Sequence, residues 1–161
     1  MKSLLLVRHA QSTDKEPGQH DINRVLTAEG ERQSHDIGNH LISEGIVPLL
    51  ILCSSAVRTK QTAFIIAECI QYPTGKIKTE HSIYESTTTN LLHLIQQLEE
   101  SVESVLLVGH NPAVAALGEY LTAERIGNVE PADLLHIEFD IALWRDVKKG
   151  NGKLVSHVKH L

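Results

Sequence analysis

The 161-residue chain has few of the residues that staple or stack a fold: two cysteines, one methionine, one tryptophan and 4% aromatics. Cys53 and Cys69 can build no disulfide framework and no C-x-x-C pair, and both stand among apolar neighbours, as small buried hydrophobes do. No stretch approaches the ~20 apolar residues of a membrane span. Arg8 breaks the first apolar run well before the length of a secretory leader, so a cytoplasmic protein with no membrane partner is expected. Basic residues are outnumbered 15 to 20, for a net charge of -5, and form no stripe, which argues against nucleic acid as a partner. A local field can still hold an anionic substrate. The chain has no repeat, low-complexity tract or linker, and its length suits one domain, 1–161, with a proper core.

Two apolar runs dominate what is present. Leu4-Leu5-Leu6-Val7-Arg8-His9 and Val105-Leu106-Leu107-Val108-Gly109-His110 each stop on a histidine. Continuous runs of this kind read as parallel strands buried on both faces. In open α/β sheets the ligand crevice lies beyond the carboxyl ends of the strands, where both histidines would stand. A third run, Leu49 to Cys53, leads into Ser54-Ser55 and Arg58.

Between the runs, Gln11 to Arg24 is polar, with Pro17 and Gly18, and reads as a surface loop over the rim. Thr27 is placed to cap a helix reaching about Ile42. Helical spacing covers Ala56 to Ile70, with Ser54 or Ser55 as cap, and Thr88 to Glu99. Ile77 to Ile83 reads as extended. Asn111-Pro112 marks a helix start, an N-cap followed by proline at N1, with Ala113, Ala116, Leu117, Tyr120 and Leu121 as the buried stripe. Leu134 to Phe139 and Lys153 to Val158 read as closing strands. The expected fold is a single-domain three-layer α/β/α sandwich, its central sheet mainly parallel with an antiparallel C-terminal addition.

Arg8, His9, Arg58 and His110 would then share one rim. A phosphoryl group in transfer carries charge on its equatorial oxygens, which arginine's planar fork can hold. The helix starts at Ser54-Ser55 and Asn111-Pro112 would add N–H donors. A histidine beside them can take the phosphoryl group on a ring nitrogen before water removes it. His9, directly after Arg8, fits that role, with His110 as a second phosphate contact protonated by the trapped dianion. His35, His40, His81, His93, His136, His157 and His160 have no such pattern and read as surface or satisfied side chains.

The segments Leu-Val-Arg8-His9-Ala-Gln-Ser, Cys-Ser54-Ser55-Ala-Val-Arg58-Thr-Lys-Gln-Thr-Ala and Leu-Val-Gly109-His110-Asn111-Pro112 resemble the three signatures of the histidine phosphatase superfamily, the phosphoglycerate mutase-like fold. Asn23-Arg24-Val25-Leu26-Thr27-Ala-Glu-Gly30 and the C-terminal segments Phe139-Asp140 to Trp144 and Gly150-Asn-Gly-Lys-Leu154 are similar to its SixA-type phosphohistidine phosphatase branch. The resemblance implies a phosphohistidine intermediate on His9, with Arg8, Arg58 and His110 holding the phosphate. It implies no metal and no cofactor, and a phosphorylated partner, either a phosphohistidine protein or a small phosphate ester. Ala10 stands where the parent members have glycine, and Val25 where the branch has proline. Arg24 matches that branch's arginine and is expected near the pocket mouth. Glu85 is the nearest candidate for the general acid of the larger members, and an imidazole leaving group would need that acid less than an alkoxide.

Rival chemistries fit less well. Cys53 and Arg58 form C-x4-R, one residue short of the cysteine phosphatase loop, and four apolar residues before Cys53 suggest an inert thiol. A metal hydrolase needs clustered ligands where this chain offers arginines, which repel cations. A mutase needs insertions that are absent here. A small-molecule phosphomonoesterase on the same scaffold remains the main alternative, with a catalytically silent phospho-ligand binding module as the non-enzymatic one.

Overall fold

Alternation along the apolar runs splits each strand between two cores. The computed structural model describes residues 1–159. Its strands are β1 (Lys2–Arg8), β2 (Leu50–Cys53), β3 (Lys78–Thr79), β4 (Ser104–Gly109), β5 (Leu134–Phe139) and β6 (Gly152–Val158). Its α-helices are α1 (Ala28–Ser43), α2 (Val57–Cys69), α3 (Thr88–Gln96) and α4 (Ala113–Thr122). Leu4, Leu6, Leu50, Leu52, Val105 and Leu107 face one core with Leu91, Ile95, Leu117 and Trp144. Leu5, Val7, Ile51, Cys53, Leu106 and Val108 face the other, with Ile37, Leu41, Ala63 and Ile66. A strand covered on both faces has no use for polar alternation, which is why these runs are continuously apolar.

The six strands form one sheet in the order β3-β2-β4-β1-β5-β6, with β1, β2, β3 and β4 parallel and β5 and β6 antiparallel. This is the expected α/β/α sandwich with an antiparallel C-terminal addition. β1 and β4 are neighbours with Arg8 opposite Gly109, so His9 and His110 leave the sheet side by side. From β1 the chain runs through α1 to β2 on one side; from β4 it runs through α4 to β5 on the other. Their carboxyl ends therefore flank the topological switch point.

Several local expectations change. Only Lys78–Thr79 of the segment Ile77 to Ile83 is a strand, and His81–Ile83 winds into a 3₁₀ turn that buries Ile83. The α4 helix starts one residue late: Pro112 is its cap, joined to Asn111 by a cis peptide bond. Asn111 still caps through its side chain, accepting from Ala115 N and donating to the Val129 carbonyl. Of the expected stripe, Ala113, Leu117 and Leu121 are buried, joined by Val114 and Gly118, while Ala116 is exposed and Tyr120 half-buried. The cap of α2 is Ala56 rather than Ser54 or Ser55. α3 ends at Gln96, three residues early, with Thr87 as its cap. His160 lies outside the described residues.

The segment after His9 is held by the start of α1. Thr27 caps the helix by accepting from Gly30 N, and donates its own N–H to the Gln11 carbonyl. Gln33 Oε1 accepts from Gln11 N. Gly30 packs so closely that an added Cβ would stand 2.0 Å from the Gln11 carbonyl oxygen, a backbone atom that cannot step aside. Gly30→Ala is therefore expected to cost about 2–3 kcal/mol and to lower the thermal midpoint by roughly 5–10 °C. Gly75→Ala, which meets nothing within 4 Å, should stay within about 0.5 kcal/mol. Circular-dichroism melts compare the two, and an unshifted Gly30→Ala midpoint would contradict this packing.

Candidate active site

An open cleft of about 430 Å³ lies beyond the ends of β1 and β4. Arg8, His9, Arg24, Arg58, Glu85 and His110 all line it, so the six residues singled out in the sequence come together at one site. Gln11, Ser12, Asp21, Tyr84, Asn111 and Pro131 complete the lining.

His9 is buried at the floor. Its Nδ1 lies 2.8 Å from the Ala10 carbonyl oxygen, an acceptor only, so Nδ1 carries the proton and Nε2 keeps its lone pair. Arg58 Nε donates toward that lone pair at 3.3 Å. Burial, opposed by the Ala10 hydrogen bond and reinforced by Arg58, Arg8 and Arg24, holds the ring down at about 4. At neutral pH His9 is uncharged, and its unprotonated Nε2 faces Arg58.

The second imidazole is oriented by a relay of hydroxyls. His110 Nε2 lies 2.7 Å from Ser54 Oγ, which lies 2.6 Å from Thr59 Oγ1, which donates to the Ala56 carbonyl. Arg58 Nη2 approaches His110 Nδ1 at 3.4 Å, so Nδ1 is the acceptor and the Nε2 proton feeds the relay. Ser54, expected as a helix cap, serves this ring instead. Burial, followed by His9 and Arg58, holds His110 down at about 3. An anion in the cleft would oppose these terms and favour the imidazolium, with Nδ1–H pointing at it. The two rings stand 5.2 Å apart, and Tyr84 packs edge-on against His110 at 5.5 Å.

The arginines differ in how they are used. Arg8 donates through Nη1 to the Val129 carbonyl, but its Nε is buried with no hydrogen-bond partner among the described residues. An orphaned buried donor costs about 1–3 kcal/mol, and this one belongs to a residue that lines the cleft. Arg24 reaches the mouth as expected, yet it clasps the loop, donating to Thr13 O, Ser12 Oγ and Asp21 Oδ1. Arg58, in the first turn of α2, spends Nη1 on the Asp21 carbonyl and Nη2 on Asp21 Oδ2.

Asp21 and Tyr84 gave no signal in the sequence. The loop expected over Gln11 to Arg24 is pinned by a Ser12–Leu26 bridge and carries a 3₁₀ turn, Asp21–Asn23. Tyr84 donates to Asp21 Oδ2 at 2.6 Å. With Arg24 and Arg58, this bond holds the Asp21 carboxyl far below the usual carboxylate range, and the same bond raises the Tyr84 hydroxyl. Glu85 is exposed at the mouth with φ 53°, a left-handed backbone that a non-glycine residue adopts at a cost. Cys53 stays outside the cleft, buried, its thiol pushed up by burial. Among the described residues no group of three or more His, Cys, Asp or Glu is arranged to hold a metal ion, and no helix is long and apolar enough to cross a membrane.

Fold and cleft together describe an α/β domain with a cleft lined by arginines and histidines at the switch point of its sheet. Residues 4–86 match the histidine phosphatase superfamily (branch 1), and the chain belongs to that superfamily. An uncharacterized protein of Mycobacterium tuberculosis, Rv1276c, is 27% identical over 158 residues, covering 92% of this chain and 96% of its own. Among solved structures, a protein assigned as phosphohistidine phosphatase SixA of Agrobacterium tumefaciens is similar with a TM-score of 0.86 at 24% identity, covering 99% of this chain and 98% of that one. The protein histidine phosphatase SixA complexed with tungstate follows at 0.83 and 21%, covering 97% and 96%. Mycobacterial glucosyl-3-phosphoglycerate phosphatase Rv2419c, at 0.73 and 15%, covers 99% of this chain and 100% of its own. At these identities the likeness to solved structures is one of fold.

Burial of the two imidazoles sets a pH dependence. Both bind protons more weakly in the folded chain than at their ordinary value of 6.5, so the unfolded chain takes up more protons as pH falls. Stability is then fully present above about pH 6.5 and drains away as pH falls through about 4 for His9 and about 3 for His110. In ¹⁵N spectra at pH 7, His9 is expected as the neutral Nδ1–H tautomer, with a midpoint near 4. A midpoint near 6.5, or the Nε2–H tautomer, would contradict the geometry.

Proposed function

We propose that the protein is a phosphohistidine phosphatase of the SixA type, working through a phosphoryl intermediate on His9 Nε2. The observation that carries this is the His9 ring itself: its proton is fixed on the Ala10 side, and its lone pair faces the guanidinium of Arg58. Mere binding of an anion would call for an N–H in that position. Arg8, Arg58 and His110 surround the transferred group as donors, and a donor set of cations and imidazoles suits an oxyanion rather than a metal ion.

In the first half-reaction the Nε2 lone pair attacks phosphorus in line, forming an N–P bond. The P–N bond of the substrate breaks, and its electron pair leaves with the substrate imidazole, which departs neutral if its other ring nitrogen is protonated. In the second, water attacks phosphorus, the His9 N–P bond breaks with its electrons returning to Nε2, and both water protons leave with the product as dihydrogen phosphate. Arg8 lines the cleft and carries a buried Nε with no partner among the described residues, which supports a role for its guanidinium in holding the charge that spreads over the equatorial oxygens. Fold-level likeness to SixA structures supports the substrate class. So does the proton inventory at the mouth: Asp21 is held ionised and the Tyr84 hydroxyl is committed to it.

A small phosphate ester is the second reading, and the position of Glu85 favours it. An exposed carboxyl group at the mouth, on strained backbone, is where an acid for an alkoxide would stand.

His9→Ala is expected to abolish turnover with the fold retained, and Arg8→Ala or Arg58→Ala to lose roughly 10²–10³-fold each, the scale of one transition-state donor. Metal-free hydrolysis rates on a phosphohistidine-bearing protein and on a panel of phosphomonoesters, with Glu85→Gln alongside, test the substrate class. The proposal expects preference for phosphohistidine and little effect of Glu85→Gln. Preference for an ester, with a large Glu85→Gln loss, would move the assignment to the second reading, and turnover by His9→Ala would overturn the mechanism.

A further inference from the structure

We propose that Asp21 is a built-in competitor for the phosphoryl pocket: its carboxylate occupies the Arg58 donors that a phosphoryl group needs, so phosphate binds by exchanging places with it. The proposal rests on the phosphatase reading above and concerns how that pocket is occupied and cleared.

Every nitrogen of Arg58 is engaged. Nε faces His9, Nη1 donates to the Asp21 carbonyl at 2.9 Å, and Nη2 is shared between Asp21 Oδ2 at 3.1 Å and His110 Nδ1. Four of its five N–H groups are committed in this way and its side chain is only 7% exposed, so little is left to offer a second anion. A phosphate dianion drawn to Arg8 Nε and Arg58 would also lie beside the Asp21 carboxylate, and two like charges at contact distance repel strongly away from bulk water. One of the two anions has to leave.

Asp21 is built to be the one that moves. Its side chain is 44% exposed, and its three-residue 3₁₀ turn buries no residue. The preceding segment is polar, mostly exposed and turns at Gly18 with φ 80°. Its holding partners, Tyr84 Oη and Arg24 Nη1, both lie toward the mouth in partly buried positions. The arrangement serves a hydrolase in two ways. It compensates the buried Arg58 charge with an anion of the chain's own, and it returns to Arg58 as product phosphate departs. A pocket of two arginines and two histidines without such a competitor would hold its product tightly.

The test is titration calorimetry of orthophosphate into the wild type and Asp21→Asn, with kcat and KM for both. Asn keeps the shape and the Tyr84 acceptor but removes the charge. The expected result is phosphate binding roughly tenfold tighter in Asp21→Asn, about the weight of one charge-assisted contact partly exposed to solvent. KM should fall with it, and kcat should fall as phosphate release slows. If Asp21 merely props Arg58 in place, Asp21→Asn would bind phosphate no better or worse than the wild type, and that result overturns the proposal. Tyr84→Phe keeps the ring against His110 and removes only the bond to Asp21, so a smaller tightening in the same direction is expected. Should Asp21→Asn fail to fold, Tyr84→Phe decides, and an unchanged or weakened affinity there overturns the proposal. Phosphate bound equally by all three proteins would leave the pocket reading standing and this one lost. No phosphate binding by any of them would overturn both.

Discussion

Burying the guanidinium of Arg58 is the constraint around which the site is organised. A buried cation costs several kcal/mol unless it is paired and its donors are satisfied. The chain meets that demand with partners from three separate elements: His9 at the end of β1, His110 at the end of β4, and Asp21 from the loop before α1. Each partner is altered by the contact. The imidazoles are held neutral, partly by the positive charge they face, and the carboxylate is held ionised. Both imidazoles stay neutral at pH 7, chiefly through burial and then through the arginine beside them, while the Ala10 carbonyl fixes which His9 nitrogen carries the proton.

Parallel pairing turns that constraint into a geometry. Arg8 lies opposite Gly109 in the β1–β4 ladder, so the next residue on each strand falls at the same level, and the rings of His9 and His110 end 5.2 Å apart. This part of the site was legible in the sequence. Two apolar runs of matched length that end on the same residue type are a register statement, and register carries into three dimensions with little distortion. Arg58 was legible because α2 begins only a few residues past the end of β2, leaving its first turn no freedom to point elsewhere.

Loops carry no comparable rule. Asp21 and Tyr84 lie 63 residues apart and meet only because the loops after β1 and β3 fold over the same strand ends. Neither has a periodicity or a partner spacing from which its place could be read. Arg24 was found through its resemblance, but what it does differs in emphasis: it reaches the mouth and spends its donors on Ser12, Thr13 and Asp21. Ser54 shows the opposite error. Its position before a helix is a strong capping signal, yet His110 claims its hydroxyl, and a local rule gave way to a tertiary one.

The charge and proton inventories of the cleft point in different directions, and the difference is informative. Positive charge and N–H donors are abundant: two arginines face the floor, and His110 can become a third cation beside an anion. Groups able to give up a proton at the mouth are scarce. Asp21 is held ionised by Tyr84 and the arginines, and the Tyr84 hydroxyl is raised and already bound to Asp21. Among the described residues at the mouth, Glu85 is the remaining carboxyl group, exposed to water on the rim. A site rich in oxyanion stabilisation and poor in acids suits a bond whose leaving group departs readily without one. The nitrogen–phosphorus bond of a phosphohistidine is such a bond, because protonation of the ring's second nitrogen in solvent already makes imidazole a good leaving group. An alkoxide needs its proton delivered in the transition state, and would place on Glu85 a burden that nothing buried around it helps to carry.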